Sequence, residues 1–251
     1  MGWRGRAIRL NAPSSTTAAG IAGPKRLLIT AGPTHEPIDA VRYIGNRSSG
    51  RLGIALADEA AARGWRVALL LGPSALTPKS SRVEVVRFRT TADLEALLRV
   101  KLDEADVLVM AAAVADFRPK TGTVGGAQAK LRRNDGAGGG LTLELEPTPD
   151  LLAGCAKARR ADQILVGFAL EPGATLLASA ESKLRRKGVD LIVANALDTM
   201  DAPAVEATVV GPAGIVARTP GSMTKELFAP WLLDVIAKHA ADSRPTETNP
   251  S

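Results

Sequence analysis

A chain of 251 residues that is 45% hydrophobic but only 3% aromatic can build one α/β domain around an aliphatic, alanine-rich core. Its formal charge of +6 comes from cations scattered over helices and loops with no aromatic platform beside them, which favours a small anionic substrate over nucleic acid. The single cysteine, Cys155, excludes an intrachain disulfide and fits a reducing, cytoplasmic setting; His35 and His239 are too few for a His-rich metal centre, and no run approaches the ~20 apolar residues of a membrane helix.

Residues 1–24 carry no apolar signal-peptide core and end in a Ser/Thr/Ala/Gly/Pro stretch, so they read as disordered, as does the tail 241–251. Residues 25–240 are expected to form a single domain. Arg26–Ala31 reads as a buried parallel strand and Arg51–Arg63 as a helix with Leu52, Ile54, Leu56 and Ala60 on its apolar stripe. The polar excursion between them is unusually long for such a connection. Ser48, Ser49 and Gly50 stand where the helix begins, and there unpaired N–H groups and the helix dipole favour an anion. Alone, Ser-Ser-Gly is more often a plain N-cap. Arg42, Asn46 and Arg47 in the same loop shift the reading to an anion site.

Gly64–Gly72 is the second expected strand, and Thr91–Glu104 a helix capped by Thr90 or Thr91 with Leu94, Leu97, Leu98 and Leu102 on one face. Asp106–Ala115 is apolar and charge-free from Val107, the signature of a central strand covered on both faces. It ends at Asp116, either a cap for the next turn or a hard ligand for Mg²⁺ or ribose hydroxyls; the two readings stand level. Lys120–Gly140 reads as a mobile flap carrying Lys130, Arg132 and Arg133, a solvated charge run or a cationic lid. Leu141–Glu146 alternates as a half-exposed strand paired with part of that flap. Thr148-Pro-Asp150 caps a helix Leu151–Arg160, which makes Cys155 a small buried side chain.

Ile164–Ala169 and Asp190–Asn195 are further buried strands around a helix Leu176–Lys187, with Lys183 and Lys187 on one face. A hairpin joins Val205–Val210 to Gly214–Arg218, and a closing helix Thr224–Ala240 turns Leu227, Trp231, Val235 and Ile236 inward. The alternation predicts a Rossmann-like, doubly wound, mainly parallel sheet with helices on both faces and an antiparallel edge hairpin. Right-handed crossovers then bring Ala31, Ala115–Asp116, Phe168–Glu171 and Ala194–Asn195 to one edge. A nicotinamide site finds little support: Gly32–Gly53 holds no Gly-x-Gly-x-x-Gly, the second strand ends in Gly72-Pro73 without an acid, and Arg47 stands four residues after Tyr43 where a lysine would be needed.

Ala31-Gly-Pro-Thr-His-Glu-Pro-Ile-Asp39, Val41–Gly53, Ala111-Ala-Ala-Val-Ala-Asp-Phe-Arg118, Lys130-Leu-Arg-Arg133, Val166-Gly-Phe-Ala169, the Lys183-Leu-x-x-Lys187-x-x-Asp190 helix exit and Ile192-Val-Ala-Asn195 together resemble phosphopantothenoylcysteine synthetase of the bacterial, CTP-dependent type. The likeness in order and spacing runs from about Lys25 to Ala240. It implies an amide ligase of coenzyme A biosynthesis that condenses 4′-phosphopantothenate with L-cysteine through an acyl-cytidylate, releasing pyrophosphate and then CMP, with Mg²⁺ present and two chains paired as a homodimer.

By that resemblance, Asn46 would hold the acyl group and Arg42 the pantothenate part. Ser48, Ser49 and Gly50 would cradle phosphate, and Asp116 would meet the ribose or Mg²⁺. Backbone atoms of Ala112 and Phe168 would line the base pocket, and Lys130 would close over the triphosphate. Lys183 and Lys187 would add phosphate contacts. The family usually reads Ser-Asn-His-Ser-Ser-Gly-Lys-Met-Gly where this chain has Gly45-Asn-Arg-Ser-Ser-Gly-Arg-Leu-Gly53, so Gly45 and Arg47 are departures. The stretch before Lys25 does not resemble the flavin-dependent decarboxylase to which bacterial members are often fused. The alternatives are an NAD(P)-dependent reductase on a similar sheet and a non-catalytic nucleotide-binding relative.

Overall fold

The structure is a computed structural model and describes residues 26–120, 142–196 and 204–242. The chain first forms β1 (Arg26–Ala31), β2 (His35–Pro37), β3 (Tyr43–Gly45), α1 (Arg51–Ala62), β4 (Arg66–Leu71), β5 (Val83–Arg87), α2 (Thr91–Lys101) and β6 (Val107–Met110). Then come β7 (Phe117–Pro119), β8 (Leu145–Pro147), α3 (Leu151–Ala158), β9 (Ile164–Glu171), α4 (Leu176–Lys187) and β10 (Leu191–Ala196). The last elements are β11 (Ala204–Val205), β12 (Ala207–Gly211), β13 (Gly214–Arg218), β14 (Met223–Thr224) and α5 (Lys225–Asp242).

Eight strands form one sheet in the order β13-β12-β10-β9-β6-β1-β4-β5. The six from β10 to β5 are parallel, and β12 and β13 add the antiparallel edge. The chain moves outward from β1 through β4 to β5, then returns to β6 on the other side of β1. The strand order therefore reverses between β1 and β6, and at such a point the flanking loops part and leave a crevice at the carboxyl edge.

Alternation along the strands divides the core between the two faces. Leu27 and Ile29 of β1 join Leu56, Val109, Phe228 and Ile236 under α1 and α5. Leu28, between them, joins Leu70, Leu94, Leu165 and Leu184 under α2, α3 and α4. A Cβ on Gly53 would lie 2.5 Å from that of Ala31, so glycine is what lets the first turn of α1 close on β1.

Several elements differ from the sequence reading. β6 stops at Met110, and Ala111–Ala115 is a loop. It is half-buried at the reversal point, with Ala115 fully so; there Ala113 N–H donates to Gly32 O (2.9 Å) and Thr34 N–H to Ala113 O (3.2 Å). The edge strand β5 was not expected, since Val83-Glu-Val-Val-Arg buries little of itself. Val205 leaves the edge hairpin to pair in β11 with β14. β8 begins at Leu145 and pairs with β7, and Lys120, the first residue of the expected flap, donates its N–H to Glu144 O at 2.9 Å; the rest of the flap lies outside the described residues. In α5, Leu227 is 62% exposed and its neighbour Phe228 takes the buried place instead, while Trp231, Val235 and Ile236 pack inward.

Candidate active site

Five of the residues singled out in the sequence line one cleft of about 240 Å³ at the carboxyl edge: Ala112 and Asp116 after β6, Phe168 in β9, and Lys183 and Lys187 on α4. Helical spacing puts both lysines on the face of α4 that meets the end of β9. Lys183 Nζ donates to the Phe168 carbonyl at 2.6 Å. Its pKa is lowered, first by burial and then by the charge of Lys187. Lys187 pairs with Asp150, which also caps α3 by accepting the Ala153 N–H at 3.1 Å. Burial opposes the charge of Asp150, but the Lys187 ammonium and the Ala153 N–H outweigh it and hold the carboxyl below its usual value.

Thr148 and Asp150 also line this cleft; in the sequence their pattern reads only as a helix cap. Thr148 ties its floor together: the hydroxyl donates to Ala115 O at 2.6 Å and the N–H to Asp116 O at 2.9 Å. Asp116 itself is exposed at the rim.

The excursion after β1 reaches the cleft through Asn46, whose Nδ2 donates to Val114 O at 2.9 Å. Arg42 belongs to the turn between β2 and β3. There the buried Asp39 accepts the N–H groups of Val41 (2.8 Å) and Arg42 (2.7 Å) on Oδ1 and pairs with the Arg42 guanidinium on Oδ2. Gly45 sits where a Cβ would come within 2.8 Å of Thr34 O and 2.9 Å of His35 Cδ2. The His35 ring stacks on Tyr43 at 3.6 Å, so the glycine makes room for that ring.

Ser48, Ser49 and Gly50 lie at the same edge, where Ser49 and Gly50 meet Ser74 and Leu71 on the β4 side of β1. Gly50 begins α1 at φ 75°, and no side chain caps the helix. Ser49 Oγ accepts the Arg51 N–H at 3.4 Å, and Ser49 O accepts the Ser74 hydroxyl at 2.7 Å. Lys130 and most of the expected flap fall outside the described residues. Among the described residues no group of three or more His, Cys, Asp or Glu side chains is arranged to hold a metal. Asp116 nonetheless fits Mg²⁺ bound as that ion usually is, by one or two carboxylates and substrate phosphates. Cys155 is buried, and burial pushes its thiol up to about 11, which removes it as a nucleophile.

Comparison with known proteins bears on the fold and the family. The chain is 45% identical over 173 residues to a cysteine/cysteine sulfinic acid decarboxylase from an unknown prokaryotic organism, covering 69% of this chain and 46% of that protein. It is 46% identical over 181 residues to the coenzyme A biosynthesis bifunctional protein CoaBC of Mycobacterium bovis, covering 69% of this chain and 42% of that protein. The chain thus spans less than half the length of these relatives. The crystal structure of the C-terminal domain of a coenzyme A biosynthesis bifunctional protein CoaBC superposes with a TM-score of 0.72 at 34% identity, covering 87% of this chain and 97% of that one. Residues 22–240 match a single family throughout: the chain belongs to the DNA/pantothenate metabolism flavoprotein C-terminal domain family.

Proposed function

We propose that this chain is an amide ligase of coenzyme A biosynthesis that joins 4′-phosphopantothenate to L-cysteine with CTP as activating nucleotide. The observation that carries this reading is the convergence of Ala112, Asp116, Phe168, Lys183 and Lys187 on one cleft at the strand reversal, with Asn46 reaching its edge. The likeness to the C-terminal domain of CoaBC over nearly all of that domain supports it. The decarboxylase in the name of one relative is said of a protein of which this chain spans 46%.

In the proposed reaction a carboxylate oxygen of phosphopantothenate attacks the α-phosphorus of CTP and pyrophosphate leaves. The cysteine amine then attacks the acyl carbon, loses a proton and expels CMP. Both steps gather negative charge, so positioned donors and cations matter more than a strong base. Lys183 gives one N–H to Phe168 O and keeps two for phosphate oxygens. Lys187 reaches phosphate by exchanging Asp150 for it. Backbone atoms of Ala112 and Phe168 line the base pocket, Asp116 meets ribose hydroxyls or Mg²⁺, and Lys130 closes over the triphosphate. Bound Mg²⁺ would screen the phosphate charge. Ser48, Ser49 and Gly50 offer a phosphate site at the start of α1, Arg42 contacts the pantothenate part, and Asn46 donates to the acyl oxygen.

A homodimer belongs to the proposal. The two ribbons β2–β3 and β7–β8 adjoin at the edge of the cleft, and Val41 in the β2–β3 turn, Tyr43, Phe117 and Leu145 stand exposed there, an apolar surface suited to a second copy. The test is pyrophosphate release, which should need CTP, phosphopantothenate and Mg²⁺ together. Equal turnover with ATP would overturn the nucleotide assignment, and release without phosphopantothenate would overturn the ligase.

A further inference from the structure

Behind the cleft stands a buried carboxylate that the proposed reaction does not use. Glu36, in the middle of β2, is 3% exposed, and its Oε1 accepts both the N–H and the hydroxyl of Thr91, each at 2.7 Å. Thr91 opens α2 and is buried as well. Its hydroxyl oxygen lies 3.4 Å from that of Thr34, a fully buried side chain, and Thr34 Oγ1 accepts the Ala115 N–H at 2.9 Å. A hydroxyl has one proton and two lone pairs. The Thr91 proton is held by the carboxylate at the shorter distance. Thr34 Oγ1, 3.4 Å from the Thr91 oxygen, keeps a lone pair for the Ala115 N–H. The acceptor at position 36 holds Thr91 in place and so packs it against Thr34.

Ala115 is where that chain of contacts meets the cleft. Its N–H is taken by Thr34 and its carbonyl by the Thr148 hydroxyl, while the carbonyl of Asp116 takes the Thr148 N–H. The backbone is therefore held at the Ala115 N–H, the Ala115 carbonyl and the Asp116 carbonyl, on both sides of the Ala115–Asp116 peptide, which fixes how Asp116 faces the cleft. We propose that Glu36, Thr91 and Thr34 are positioning residues that set the nucleotide edge of the cleft through Ala115 without touching the ligand. The identity of that ligand rests on the ligase reading; the clamp does not.

The experiment compares Thr34→Val and Glu36→Ala, which remove the acceptors, with Thr34→Ser and Glu36→Gln, which keep one. Three readouts are taken on each purified protein: hydrogen exchange of the Ala115 amide, separate KM values for CTP, phosphopantothenate and cysteine, and the melting temperature. In Thr34→Val and Glu36→Ala the exchange should quicken about tenfold or more and the KM for CTP rise about tenfold, with the KM for cysteine held within about twofold. Thr34→Ser and Glu36→Gln should restore both. Unchanged exchange at Ala115 in Thr34→Val overturns the clamp. Quickened exchange with all three KM values rising together, or with only the melting temperature falling, reduces the network to a fold-stabilising one and overturns the proposal. If Glu36→Ala fails to fold, the Thr34 pair decides. A wild-type protein that takes no CTP overturns the ligase reading alone, and the exchange measurement still decides the clamp.

Discussion

Asn46 hands its side-chain amide to the carbonyl of Val114 across 2.9 Å, and that bond joins the excursion after β1 to the loop after β6. It brings Asn46 and Asp116 to one rim, as a shared site for acid and nucleotide requires. In Asn46→Asp an acceptor would face the Val114 carbonyl where a donor now does. Pyrophosphate release should stay within about threefold of wild type while amide formation falls about 10²-fold or more, the scale of losing a positioned donor. Parallel assays of pyrophosphate and product check this, and normal cysteine turnover would remove Asn46 from the acyl step.

Gly50 should resist even alanine. Its φ of 75° is left-handed, and a Cβ there would lie 3.2 Å from Leu71 Cδ1 and 3.3 Å from Gly32 N. Gly50→Ala is expected to cost about 1–3 kcal/mol in urea unfolding, from the backbone conformation and the crowding together. A change under about 0.5 kcal/mol would mean that the start of α1 adapts freely.

Asp150 links helix capping to the cleft. A carboxylate whose pKa is depressed by folding adds stability above its unfolded value, 3.8, and loses that contribution as pH falls through the lower folded value. Asp150→Ala should therefore be about 1 kcal/mol less stable than wild type at neutral pH, with the gap closing below about pH 4. Asp150→Asn keeps a capping oxygen and releases Lys187, so CTP should bind about threefold more tightly. Calorimetric titration and thermal melts across pH separate the two effects.

Cys155 should be silent in catalysis. Its raised thiol stays protonated in the folded chain while the unfolded thiol ionises near 9.0. The stability it contributes is therefore whole below pH 9 and is lost as pH rises toward 11. A thiol reagent at pH 8 should label it only on unfolding, and Cys155→Ala should keep full turnover. Rapid labelling of the native protein would contradict the burial.

β1 and α4 were legible in the sequence to the residue, because a continuous apolar run covered on both faces and an amphipathic stripe each leave a local signature. The residues Ala112, Asp116, Phe168, Lys183 and Lys187, singled out by their motifs, come together along one cleft, and Asn46 bonds Val114 at its edge. The end of β6 was not legible, since an alanine run looks the same whether it is pleated or packed as a loop. Only the tertiary structure decided that Lys187 meets Asp150, 37 positions away, that Thr34 holds Ala115, 81 positions away, and that Ser48–Gly50 fall on the β4 side of β1. Periodicity reports neighbours within a turn or a pleat, whereas these placements follow from the order of strands in the sheet, and the Thr34–Ala115 pairing from its reversal between β1 and β6.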